Sequence, residues 1–361
     1  MSTPLCADAL LYTLESFCLS GKMVSCKPYG GGHINSTQLV TDDTGKRYIL
    51  QRINTHVFRD VDALMENIQL VTDFLHESCC DERSTLTLVP TREGKYYIEN
   101  EYGCWRMYHF VEDTVCLQAV ESDDEFYESA VAFGRFQQAL KNFPVEKLHT
   151  TIPNFHNTPD RFRLFREAIA KDPMDRVKEV QPEIDFILSH EEVVCRPQRM
   201  LERGELPERV THNDTKLNNV LLDAASHKAL CVIDLDTVMP GLSIFDFGDS
   251  IRFGAATAAE DEQDLSKVSM SLDRFRAFTR GFVRSCPGLT ETELDMLSDG
   301  ARTITLECGM RFLTDYIDGD HYFATQRPGQ NLDRCRTQLK LVADMESKWE
   351  EMQHIVKEER Q

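Results

Sequence analysis

Between residues 23 and 111 the apolar positions come in short runs separated by turn signals, which is the pattern of strands. Strands are predicted over 23–29, 34–41, 47–53, 95–99 and 104–111. The turn Asp42-Asp43-Thr44-Gly45 joins the second strand to the third, and Asn100-Glu101-Tyr102-Gly103 joins the last two. One stretch breaks the pattern. Over 60–77, Val61, Leu64, Ile68, Val71 and Leu75 recur at helical spacing, so a single helix is inserted among the strands. Beyond Glu112 the period is helical. Ser122-Asp123-Asp124-Glu125 reads as a capping box opening a helix that carries Phe126, Phe133, Phe136, Leu140 and Phe143. Further helices are predicted near 160–171, 182–192, 261–285, 291–317 and 333–358. The expected fold is α+β and bilobal, with a small lobe over 1–110 and a larger helical lobe over 111–361.

Composition narrows the partners. The chain has 361 residues, 41% of them hydrophobic, and a formal net charge of −20 from 40 basic and 60 acidic side chains. Such a chain repels nucleic acid and anionic membrane surfaces. No run approaches the roughly 18–20 apolar residues of a membrane span. The first twenty residues form an amphipathic helical pattern with acidic members, unlike a signal peptide. Twelve cysteines are scattered without a Cys-x-x-Cys pair, and Cys79-Cys80 are adjacent, so reduced thiols in a cytoplasmic protein are expected. No heptad pattern specifies an oligomer.

The candidate chemistry sits in His212-Asn213-Asp214-Thr215-Lys216-Leu217-Asn218-Asn219. One short loop there combines a carboxylate, a lysine and an amide, and twenty residues after Asp214 an apolar run ends in Asp234. That set fits phosphoryl transfer, which needs a group to orient the nucleophile, a magnesium site and a hold on ATP. Asp214 is the candidate base, Lys216 a contact for the transferred group, and Asn219 with Asp234 the candidate magnesium ligands. His212 reads as a support of the loop. Asp246-Phe247-Gly248 spells a metal-binding tripeptide, but it starts 32 residues after Asp214. Asp246 is therefore expected to brace the loop from beneath by accepting backbone hydrogen bonds. Asp236 is a secondary candidate for metal or substrate if the strand before it continues, and Asp249 reads equally well as surface. Gly30-Gly31-Gly32 lies between two predicted strands, where backbone amides can approach phosphates, although three glycines are also an ordinary turn. His33 follows at the tip.

On these residues the chain resembles the aminoglycoside phosphotransferase and choline kinase superfamily, and more closely the bacterial N-acetylhexosamine 1-kinases. The segments that carry the closer likeness are 211–219, Ile233-Asp234-Leu235-Asp236-Thr237, 245–254 and Glu307-Cys308-Gly309-Met310-Arg311-Phe312. Pro28-Tyr29-Gly30 and Gly32-His33-Ile34-Asn35 add to it near the start. The resemblance implies a protein-kinase-like fold and an ATP- and Mg2+-dependent enzyme that phosphorylates the C1 hydroxyl of GlcNAc or GalNAc. It implies His33, Asp214, Arg311 and Tyr322 at the sugar. Adenine is expected against backbone at Tyr108, His109 and Val111, where the lobes join. Another alcohol on the same fold, or a non-catalytic binding module, are the competing readings. One departure stands out: the third strand, Arg47-Tyr48-Ile49-Leu50-Gln51-Arg52, has Gln51 where the superfamily carries a lysine, and Glu66 on the next helix has no assured partner. Arg52 or Lys46 replaces that lysine, or magnesium and Lys216 carry its load.

Overall fold

The computed structural model describes residues 7–30, 34–78 and 81–361, so Gly31, Gly32, His33, Cys79 and Cys80 lie outside the described residues. The chain opens with helix α1 (Ala7–Glu15) and then builds β1 (Met23–Pro28), β2 (Ser36–Asp42), β3 (Arg47–Ile53), helix α2 (Val61–Ser78), β4 (Tyr97–Asn100) and β5 (Gly103–His109). These five strands form one antiparallel sheet in the order β1-β2-β3-β5-β4. The hairpin between β2 and β3 closes because the Asp42 carboxylate accepts the Thr44 and Lys46 N–H groups, each at 3.0 Å. Gly45 completes the turn with φ of 86°.

Past the sheet come β6 (Thr114–Cys116), α3 (Asp123–Ala139), α4 (Thr158–Lys171), α5 (Gln181–Ser189), α6 (Glu191–Val194) and α7 (Arg196–Glu202). Four short strands follow: β7 (Arg209–Thr211), β8 (Val220–Asp223), β9 (Ala229–Val232) and β10 (Met239–Gly241). β7 pairs with β10, and β8 lies between β6 and β9. The remainder is helical, with α8 (Ser243–Gly254), α9 (Leu272–Ser285), α10 (Glu291–Asp295), α11 (Leu297–Asp318), α12 (Gln330–Ser347) and α13 (Trp349–Glu359). This is the α+β architecture of a kinase-like fold, a small antiparallel sheet followed by a larger helical part.

Several expectations are corrected in detail. The predicted helix over 261–285 starts only at Leu272, and those over 182–192, 291–317 and 333–358 are each broken into two. Only half of the capping box at Ser122 forms: its hydroxyl accepts the Glu125 N–H at 3.2 Å, while Glu125 Oε2 has no partner among the described residues. The reciprocal box stands instead at Thr290 and Glu293. The β9 strand ends at Val232, so Asp236 does not continue it; Leu235–Thr237 is a 3-10 turn. Asp246-Phe247-Gly248, expected to brace the loop, does so from within a helix, α8, which is buried nearly all round.

Packing joins the two parts. The largest apolar cluster contains Leu64, Ile68 and Val71 of α2 together with Phe133 and Phe136 of α3 and Phe247 of α8. A polar tie adds direction: Asn67 on α2 donates to the carbonyl oxygens of His149 at 2.8 Å and Val238 at 3.1 Å. The α8–α11 contact depends on two glycines. A Cβ on Gly248 would lie 2.4 Å from the Gly300 carbonyl oxygen, and one on Gly300 would lie 2.1 Å from that of Ile244. Backbone cannot give way as a flexible side chain can. Gly248→Ala is therefore expected to destabilise the fold by about 2–3 kcal/mol, measured by urea unfolding; a loss below about 0.5 kcal/mol would mean that the helices part freely.

Candidate active site

The loop from Thr211 to Asn219 is held by α8 beneath it. The Asp246 carboxylate accepts the N–H of His212 at 2.9 Å, the N–H of Asn213 at 2.7 Å and the Gln137 amide at 2.6 Å. Asp249, one turn on, is not at the surface: it is buried, accepts the Thr215 N–H at 3.0 Å and pairs with Arg252 at 2.9 Å. Ser250 donates to the Thr215 carbonyl at 2.8 Å. Three loop residues, His212, Asn213 and Thr215, thus take backbone bonds from one helix. Burial pushes the Asp246 carboxyl above its ordinary value, opposed by His212 and by the N–H groups it accepts.

Asn213 sits in the left-handed region with φ of 64°, a conformation its short amide tolerates. Its side chain donates to the Thr237 carbonyl at 2.9 Å, which ties the loop to the segment after Asp234. His212 is fully buried between Phe133 and Phe136, donates from Nε2 to the Ile233 carbonyl at 2.9 Å and accepts the Asp214 N–H on Nδ1. Both ring nitrogens are spent on backbone, so His212 supports the loop.

Asp214 and Lys216 form an ion pair at 2.8 Å, with about a quarter and a third of their side chains exposed (26% and 36%). Burial opposes the charge on Asp214, yet Lys216, His212 and Arg252 together hold its carboxyl below the ordinary value. Lys216 is raised correspondingly: burial works against its charge, and Asp214 and Asp249 outweigh it. Asn219 donates its Nδ2 to the Asp214 carbonyl at 2.8 Å and to Oδ2 at 3.2 Å, which leaves Oδ1 as its ligand-type atom. Asp234 adopts φ of 61°. Burial and the negative charges of Asp236 and Asp214 push its carboxyl up to about 6, against the pull of Arg106 and His212. Among the described residues no three acidic, histidine or cysteine side chains form a metal cage. Asn219 and Asp234 are the sparse oxygen set suited to a magnesium ion that takes its other ligands from phosphate and water. The crowding of carboxylates around Asp234 is the kind of site a cation relieves.

On the sheet side, Gly30 has φ of 72° and open space where a Cβ would stand. The foot of the glycine turn is Asn35, which donates to Asp236 at 2.5 Å and accepts the Asn54 N–H at 2.9 Å. Asp236 also forms an ion pair with Arg106. Neither Lys46 nor Arg52 replaces the missing lysine: Lys46 donates to Ser20 at 2.9 Å, and Arg52 lies over the Trp105 ring. Glu66 meets His149 at 2.7 Å. At the end of β5 the N–H groups of His109 and Phe110 are spent on the Thr87 and Arg47 carbonyls, whereas Val111 N–H has no partner among the described residues. Tyr108 points into the core, with its hydroxyl buried and without a partner among the described residues.

The far wall comes from α11 and the loop after it. The Arg311 guanidinium lies over Phe155, Tyr322 and Phe323 at 5.4, 5.9 and 5.5 Å and has no acidic partner among the described residues. Tyr322 is exposed, but its backbone is fixed: Asp315 accepts the N–H groups of His321, Tyr322 and Phe323 at 2.7–2.9 Å. Glu307, one turn before Arg311, accepts from His156 Nδ1 at 2.8 Å, and His156 Nε2 reaches the Asn213 carbonyl at 3.3 Å. The helix that presents Arg311 is thereby tied to the catalytic loop. Arg106, His156 and Asp315 carried no motif in the sequence, and Glu307 lay in a segment of the family likeness with no role assigned to it. Arg106 meets Gln51 only through the long-range pairing of β3 with β5.

The described helices include none long and apolar enough to cross a membrane. Comparison with solved structures gives the same fold repeatedly. An aminoglycoside phosphotransferase from Alicyclobacillus acidocaldarius superposes with TM-score 0.62 at 14% identity, covering 100% of this chain and 97% of that one. A microcompartment-associated aminopropanol kinase gives 0.60 at 16% identity over 95% and 98%. The amicoumacin kinase hAmiN, solved with AMP-PNP, Ca2+ and Ami, gives 0.62 at 13% over 92% and 93%. The profile of the phosphotransferase enzyme family, APH, matches residues 25–278, more than half of the chain, and the chain belongs to that family.

Proposed function

We propose that this chain is an ATP- and magnesium-dependent kinase that transfers the γ-phosphoryl group to the C1 hydroxyl of an N-acetylhexosamine, GlcNAc or GalNAc. The observation that carries the kinase reading is the Asp214–Lys216 pair, set beside Asn219 and Asp234 and fixed by backbone bonds to α8. Asp214 accepts the hydroxyl proton. A carboxylate held below its ordinary value is a weak base, so the proton moves late, once the new phosphorus–oxygen bond has begun to form. Lys216 gives its charge to the transferred phosphoryl group, and its pairing with Asp214 keeps both groups in place. Asn219 and Asp234 would hold the magnesium ion, which neutralises developing charge on the phosphates. Gly30, Gly31 and Gly32 bring backbone to the phosphates, and Val111 offers the N–H for adenine next to Tyr108 and His109.

The acceptor class rests on the sequence resemblance and on the charge of the far wall. His33, Arg311 and Tyr322 are assigned to the sugar. Arg311 is a cation without an acidic partner, and Arg161 lies near enough that burial and the Arg311 charge lower its own proton affinity. Two guanidinium groups repel an aminium acceptor of the kind an aminopropanol kinase takes. They suit the oxygen-rich ring and acetamido carbonyl of a neutral sugar.

The deciding experiment supplies ATP and magnesium with N-acetylhexosamines, choline, aminopropanol and an aminoglycoside, and reads the products by phosphorus NMR. A sugar 1-phosphate is the expected product; turnover of the amines alone would sink the sugar reading while leaving the kinase reading intact. Asp214→Asn is expected to lower kcat by about 10^2–10^4-fold with an unchanged thermal unfolding temperature, and near-native turnover would remove Asp214 from its assigned role. Arg311→Lys should raise the sugar KM by roughly tenfold, about 1.4 kcal/mol, with the ATP KM unchanged, since a point charge cannot reproduce the planar fork. Equal changes in both constants would place Arg311 outside the sugar site.

A further inference from the structure

The third strand lacks a cation at Gln51, yet a cation stands at that place. In the antiparallel ladder Gln51 of β3 is the register partner of Arg106 of β5, so the two side chains project from the same face of the sheet. Gln51 Oε1 accepts from both Nε at 3.0 Å and Nη2 at 2.8 Å, which locks the plane of the guanidinium. Arg106 is 1% exposed.

The rest of its surroundings are incomplete. Nη1 is in ion-pair contact with Asp236 Oδ1, and the hydroxyl of Tyr108, two residues on along β5, has no hydrogen-bond partner among the described residues. The guanidinium lies 5.3 Å from the centre of the Tyr108 ring. A buried hydroxyl left so is costly unless something else completes it. Asp234 is among the charges that act on Arg106, so the cluster borders the metal-binding aspartate. Arg47, Lys46 and Arg52 are directed to Glu112, Ser20 and Trp105 respectively.

We propose that Arg106 binds the polyphosphate of the nucleotide, bringing from β5 the charge that β3 lacks, with Gln51 as its positioning residue and Asp236 as its partner until the phosphates arrive. The inference rests on the nucleotide-binding reading above. A guanidinium suits the task, because its fork can keep two donors on Gln51 while the outer edge turns to a phosphate oxygen. The negative charge of Asp236 competes with phosphate for that edge, so Arg106 and Asp236 affect nucleotide binding with opposite signs.

The test is calorimetric titration of the full chain with ADP and, separately, with adenosine, both in EDTA so that no metal bridges the phosphates. Native protein is expected to bind both, and failure to bind either would overturn the nucleotide reading itself. Arg106→Met should weaken ADP at least tenfold and adenosine less than twofold. Asp236→Asn should strengthen ADP severalfold and leave adenosine unchanged. Equal loss of ADP and adenosine in Arg106→Met, or unchanged ADP binding, would overturn the proposal, since a residue that merely holds the fold does not distinguish the ligands. Where Arg106→Met fails to melt cooperatively, the charge-neutral pair Arg106→Gln with Asp236→Asn carries the same comparison. Selective loss of ADP is expected from it, and native-like ADP binding would count against the assignment.

Discussion

The buried carboxylate of Asp246 is the constraint on which the site depends. A carboxylate out of water is stable only when its oxygens are occupied, and here they are occupied by two consecutive loop N–H groups and one amide. The dependence runs both ways. Those N–H groups belong to a loop with Asn213 in the left-handed region, and they would themselves be orphaned without Asp246. Losing such a partner leaves each donor short by about 1–3 kcal/mol, a large share of a domain's stability. Loop conformation and helix position are therefore a single decision. Asp249 extends the same arrangement by one turn to Thr215, which lies between Asp214 and Lys216.

The electrostatics resolve an apparent conflict. A chain of net charge −20 binds a polyanionic nucleotide only if positive charge is concentrated where the phosphates go. Three cations around the loop are each paired with a neighbouring carboxylate: Lys216 with Asp214, Arg252 with Asp249, and Arg106 with Asp236. Asp234 is the carboxylate left over, and its elevated proton affinity reports that excess. The cleft is thus neutral in its pairs and negative at one point, which is the place suited to a divalent cation.

Much of this was legible in the sequence because it is local. The strands of the sheet and the helix between them follow from period and turn chemistry, and the separation of Asp234 from the tempting tripeptide follows from spacing alone. The bracing role expected of Asp246 is visible as its hydrogen bonds. What could not be read is long-range. Asp249 looks like a surface residue until α8 is known to be buried on every side. Asp236 looks like a strand residue until the left-handed backbone at Asp234 turns the chain. Lys46 and Arg52 are nearer to Gln51 along the chain than Arg106 is, but register decides which side chain faces it. The far wall was named only through resemblance, since nothing in the local pattern around Arg311 or Tyr322 brings them to the loop. A period of 3.6 residues places Glu307 and Arg311 on one face of a helix without saying which face meets the loop.

That last tie shows how specificity and catalysis can share one framework. α11 carries Arg311, proposed to meet the acceptor, and, one turn earlier, presents Glu307 to His156, which reaches the carbonyl of Asn213 beside Asp214. Glu307 is fully buried, yet His156, Arg161 and the Thr158 hydroxyl hold its carboxyl below the ordinary value that burial would otherwise raise. A displacement of α11 would pull on the backbone next to Asp214, because the buried Glu307–His156 hydrogen bond cannot be broken without leaving a buried carboxylate short of a partner. The same helix approaches α8 through Gly248 and Gly300, so the brace beneath the loop and the wall facing it are packed against each other. On the proposed assignment, acceptor choice is altered more readily in the segment around Tyr322, which is exposed and held through its backbone to Asp315, than in the helix that carries Arg311.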